Sequence, residues 1–66
     1  MDCLTIDQAV TDAVKAKVGT TRVYDFPFEV TVRALEAFAK AVGEQIPHAE
    51  FRAERSGMTI EFSRLS

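Results

Sequence analysis

Apolar side chains recur at Ile6, Ala9, Val10, Ala13, Val14 and Val18, a spacing that lines them along one face of a helix. Asp7, Asp12 and Lys15 fall on the other side. The helix start is written as Thr5-Ile6-Asp7-Gln8. The Thr5 hydroxyl is placed to accept from the Gln8 amide, and the Gln8 side chain to accept from the Thr5 amide. Leu4 and Ala9 are spaced for a hydrophobic staple across this start. Lys15 and Lys17 suit the negative end of the helix dipole, and Gly19 predicts its end.

The period then changes. Over Thr20 to Phe28, Tyr24, Phe26 and Phe28 alternate with Val23, Asp25 and Pro27, which predicts a strand. Pro27 has no N–H for a ladder, so the strand ends there or lies at a sheet edge. Residues 27–33 support two readings: a strand prolonged through Val30 and Val32, or a helix that begins near Pro27. Arg33 to Val42 is helical on both. Val32, Leu35, Phe38, Ala39 and Val42 form its inward stripe, with Arg33, Glu36, Lys40 and Glu44 outward. Glu36 and Lys40 stand in the favourable order for an ion pair on a helix. Gly43 is expected to end this helix and Pro47 to prevent its resumption.

Ala49 to Leu65 predicts a β-hairpin with Ser56-Gly57 as a two-residue turn. That turn pairs Arg55 with Met58, Ala53 with Ile60 and Phe51 with Phe62 on one face. It pairs Arg52 with Glu61 and Glu54 with Thr59 on the other. The expected fold is therefore α+β, in the order α-β-α-β-β, with a small three-stranded antiparallel sheet and two helices packed on one face. The other sheet face should carry Glu50, Arg52, Glu54, Glu61 and Ser63, half-solvated.

Length restricts this plan to one domain, 1–66, close to the lower limit for independent folding. Such a small chain needs a staple, a partner or a tightly packed core. Its apolar fraction of 47% and five Phe supply core material and argue against disorder. Cys3 is the only cysteine, so no intrachain disulfide can form. The N-terminus shows no signal-peptide pattern, and no apolar run is long enough for a membrane span. A cytoplasmic location is expected.

Candidate chemistry is sparse. Cys3 and His48 form no recognisable nucleophile pair, and one Cys plus one His cannot make a structural zinc site. The three glycines are isolated, so no phosphate-cradling loop exists. No enzymatic activity, cofactor or metal is expected. Arg52, Arg55 and Arg64 lie on the hairpin near Phe51 and Phe62, a possible platform for single-stranded nucleic acid. Glu50, Glu54 and Glu61 interleave with these arginines and weaken that reading. The formal net charge of −2 also disfavours nucleic acid. Asp7 and Asp12 on the first helix, with Glu36 and Glu44 on the second, would instead form an acidic surface for a protein partner with a basic one. Open sheet edges leave both a monomer and a homodimer as expectations.

In size, mild acidity and lack of catalytic groups, the chain resembles the small inhibitor proteins of phages and mobile elements, of which the anti-CRISPR proteins are the best-known group. The likeness is one of general character and rests on no motif. It implies a target on a basic, nucleic-acid-handling surface, such as a CRISPR-Cas subunit, in the cytoplasm of a host cell. Asp7, Asp12, Glu36 and Glu44 would be the contact residues. A nucleic-acid-binding or regulatory module built on the hairpin arginines, or a homodimeric assembly subunit, are the alternatives.

Overall fold

A computed structural model describes residues 5–66. Helix α1 (Ile6–Ala13) is followed by strand β1 (Thr21–Asp25), helix α2 (Val32–Gln45) and strands β2 (Phe51–Ser56) and β3 (Thr59–Arg64). The sheet is antiparallel with β3 in the centre, in the order β1-β3-β2. Ala9, Val10 and Ala13 of α1 and Phe38 and Val42 of α2 share one core with Tyr24, Ile60 and Phe62, so both helices cover the same sheet face. The fold class and element order are those the sequence predicts. No helix among the described residues is long and apolar enough to cross a membrane.

Helix α1 begins as its sequence dictates. The Gln8 amide donates to Thr5 Oγ1 and the Thr5 amide to Gln8 Oε1, each at 3.1 Å. Leu4 of the expected staple lies outside the described residues. The helix stops at Ala13, earlier than the periodicity implies, and Val18 is exposed. Directly after Ala13 the bonds tighten, the Lys15 amide donating to the Asp12 carbonyl at 3.1 Å and the Ala16 amide to the Ala13 carbonyl at 3.0 Å, and later carbonyls bond elsewhere. The Ala16 carbonyl accepts from Arg64 Nη1 at 3.2 Å, and the Lys17 carbonyl accepts from the Thr20 amide at 3.0 Å. Lys15 and Lys17 consequently fall outside the last helical turn.

Between β1 and α2 neither reading of residues 27–33 holds. Phe26 still donates its amide to the Met58 carbonyl at 2.9 Å, beyond the end of β1. Pro27 has no such proton and the ladder ends. Val30 then donates to the Gly57 carbonyl, also at 2.9 Å, so the segment crosses the end of the sheet at the hairpin turn. Helix α2 starts only after Thr31, whose Oγ1 caps the Ala34 amide. Val30 is buried, while Phe28 and Val32, expected to face inward, are exposed.

Helix α2 also runs through Gly43 to Gln45. A helical glycine costs only about 1 kcal/mol, and the extra turn lets Ile46 pack beside the core. A Cβ at Gly43 would meet nothing within 4 Å. Gly43→Ala is therefore expected to stabilise the domain by about 0.5–1 kcal/mol. In a thermal melt the midpoint should rise by about 2–8 °C; an unchanged or lower midpoint would contradict this account of the helix.

The hairpin forms with a corrected register. Its turn residues are Gly57 and Met58, and Ser56 pairs with Thr59. Gly57 has φ +61 and Met58 has negative φ, the signs of a type II′ turn, which needs Gly at its first central position. A Ser56-Gly57 turn would have placed serine there. Each β2 residue consequently meets a β3 residue two positions beyond the one expected: Ala53 faces Phe62 and Phe51 faces Arg64. A shift of two preserves the faces, and Phe51 still contacts Phe62, with ring centroids 5.5 Å apart. The expected Arg52–Glu61 and Glu54–Thr59 pairs do not form. Arg52 faces Ser63, and Glu54 faces Glu61.

Candidate functional site

The acidic residues predicted to meet a partner divide into two groups. Asp7, Glu36 and Glu44 are exposed on the helices. Asp12 is not a free surface charge: its side chain is 24% exposed and bonded internally. Asp12 Oδ2 accepts from the Tyr24 hydroxyl at 2.7 Å and from Arg22 Nη1 at 3.3 Å. It ties α1 to β1. On α2, the spacing of Arg33, Glu36, Lys40 and Glu44 interleaves opposite charges on one exposed face, so that face has no acidic excess.

The hairpin arginines are likewise separated. Antiparallel pairing puts Arg55 beside Ile60, on the helix-covered side, and Arg64 on the same side. Arg55 Nη1 donates to the Val30 carbonyl at 3.3 Å. Arg64 Nε donates to the Ser66 carbonyl at 2.7 Å, beside its Nη1 bond to Ala16. Both guanidinium groups thus hold connecting segments against the sheet. Arg52 lies on the opposite, open face, 3.5 Å from Glu54. Phe62 is fully buried and Phe51 partly so, so no aromatic platform stands beside three converging arginines.

Cys3 lies outside the described residues. His48 is exposed in the loop after α2, at an open cavity of about 300 Å³ also lined by Gln45, Ile46, Pro47, Ala49, Arg64 and Ser66. Among the described residues, no three His, Cys, Asp or Glu side chains gather where they could hold a metal ion.

A different surface emerges at the hairpin end of the sheet. The two backbone bonds from Phe26 and Val30 seat the β1–α2 segment against the Gly57-Met58 turn. Phe28 is 37% exposed, Val32 52% and Met58 48%. Pro27 is exposed beside them, and the Phe28 ring lies against buried Phe26 at a centroid distance of 5.2 Å. Asp25 and Glu29, both exposed, flank Pro27-Phe28 in the sequence. The alternation of Tyr24, Phe26 and Phe28 hides this arrangement by making Phe28 read as core. Met58 is the sequence signal for it, because a side chain in a tight turn has little chance of reaching the core.

Compared with protein-family models, curated proteins and solved structures, the chain matches none.

Proposed function

We propose that this chain is a small, non-catalytic protein-binding module, and in particular an inhibitor of the anti-CRISPR kind that covers a basic, nucleic-acid-handling surface of its partner. The observation that supports binding is the tip: three large apolar side chains held in solvent by a backbone bonded to the hairpin turn. Clustered exposed apolar groups mark protein-interaction sites, whereas scattered ones do not. The exposed acidic neighbours of Pro27-Phe28, Asp25 and Glu29, favour a partner whose apolar pocket is bordered by Lys or Arg. Phe28 is the anchor, since its ring is backed by Phe26 and already ordered before contact.

The test is capture of the partner from the native cell, followed by measured binding of variants to it. Phe28→Asp with Met58→Asp is expected to weaken binding by about thirtyfold or more, the loss typical of a hot spot. Glu36→Lys with Glu44→Lys should weaken it only slightly. The reverse ranking would move the contact to the helix face, and a tip variant that binds normally would refute the tip.

A further inference from the structure

We infer that β2 pairs with β2 of a second copy of this chain, about a two-fold axis at Ala53, to make a continuous six-stranded sheet. The alternation of antiparallel bonding identifies the groups available. The Leu65 amide donates to the Glu50 carbonyl at 2.8 Å, so the even-numbered residues of β2 turn their N–H and C=O toward β3. Phe51, Ala53 and Arg55 therefore turn theirs away. Among the described residues no strand pairs with this outer edge.

The edge is complementary to itself. In the register centred on Ala53, Ala53 meets its own copy and Phe51 meets Arg55 in hydrogen-bonded pairs. Between them Arg52 meets Glu54 of the other copy, twice, as non-hydrogen-bonded pairs, the positions where opposed side chains come closest. Arg52 and Glu54 share the open sheet face, with side chains 67% and 64% exposed. A lone edge protected by lysines would repel its copy; this alternation of opposite charges attracts one.

The single chain also contains a like-charge pair, relieved on one side by its own Arg52, 3.5 Å from Glu54. Glu54 stands directly opposite Glu61 in the ladder, an unfavourable like-charge pair. In the paired sheet, Arg52 of the second copy lies on the other side of Glu54. The chain has 66 residues and a single cysteine, so it lacks a disulfide staple, and the added strand pairing supplies what a small core cannot. Self-pairing of β1 is less well matched: it sets Val23 against Val23 and Thr21 against Asp25, without an ion pair.

Sedimentation velocity over a concentration series tests the inference. The wild type is expected to move toward a two-chain mass as concentration rises. Arg52→Glu alone, or Glu54→Arg alone, should raise the dissociation constant by about tenfold or more, because attraction becomes repulsion at both symmetry-related pairs. The double swap, Arg52→Glu with Glu54→Arg, should restore the wild-type constant. Ala53→Pro removes an outward N–H without touching the β2–β3 ladder and should also weaken the dimer, with circular dichroism confirming that the chain folds. A one-chain mass at every concentration, a swap that restores nothing, or a dimer sensitive to Val23→Lys but not to the β2 variants would overturn the assignment.

Discussion

Replacing Phe38 with Ala is expected to remove a large share of the domain's stability. Phe38 is fully buried and comes from α2, yet its ring meets both the edge strand and the central strand. It is tilted against Tyr24 at a centroid distance of 6.2 Å and edge-on to Phe62 at 6.0 Å. Truncating a buried Phe costs about 3–5 kcal/mol, through lost transfer energy and the remaining cavity. A chain of 66 residues has a total stability of about 3–10 kcal/mol. One side chain thus accounts for a large share of what holds the domain together. Urea denaturation followed by far-UV circular dichroism should show Phe38→Ala with a midpoint far below that of the wild type. Phe38→Leu should retain a cooperative transition at lower urea. Val32→Ala gives the contrast: the periodicity assigns Val32 to the same stripe, but its exposure limits the change to about 0.5 kcal/mol or less. A folded, cooperative Phe38→Ala with near-normal midpoint would show that the core is not centred where the structure puts it.

That contrast shows which parts of the fold were legible in the sequence. Local signals were reliable where the bonding was local: the Thr5–Gln8 box, the apolar faces of both helices apart from Val18 and Val32, the hairpin's two faces and the element order all follow from residues near one another. Element ends were not legible, because long-range partners set them. Nothing near Ala16 announces that Arg64 will claim its carbonyl from forty-eight positions away. Gly43 reads as a stop in isolation and is overridden by the packing of Val42 and Ile46. The turn was legible in principle, since a type II′ turn wants glycine first and so selects Gly57-Met58 over Ser56-Gly57. The candidate site was harder to read. Helical periodicity correctly puts Asp7, Glu36 and Glu44 in solvent, but it cannot see that Arg22 and Tyr24 of the next element reach Asp12. The tip depends on two backbone bonds between segments that are distant in sequence.

Asp12→Ala is expected to destabilise the domain rather than to act first on partner binding. Two groups contact Asp12, and their contributions differ. The Arg22 pair is 3.3 Å long and its arginine side chain is 40% exposed, so solvent screening leaves it a small effect. The Tyr24 bond is short, at 2.7 Å, and joins a carboxylate to a hydroxyl on a fully buried residue. Hydrogen bonds to charged groups contribute about 1.5–3 kcal/mol, so this one dominates. Removing the acceptor is also worse than removing the donor. Asp12→Ala takes the short bond from Tyr24 and the charge partner from Arg22, whose Nε is already buried without a hydrogen bond. Tyr24→Phe removes only the hydroxyl and keeps the ring in the core. Asp12→Ala should therefore cost about 2–3 kcal/mol and Tyr24→Phe about 1–2. The double variant should be less destabilised than the sum, by about 1 kcal/mol or more, as expected for residues in direct contact. Urea midpoints of the four proteins measure each term. If the two changes add without coupling, the bond contributes nothing to folding, and Asp12 returns to the set of charges available to a partner. If they couple, any loss of partner binding in Asp12→Ala reflects a loosened α1–β1 contact, and only Asp7, Glu36 and Glu44 remain as tests of an acidic helix surface.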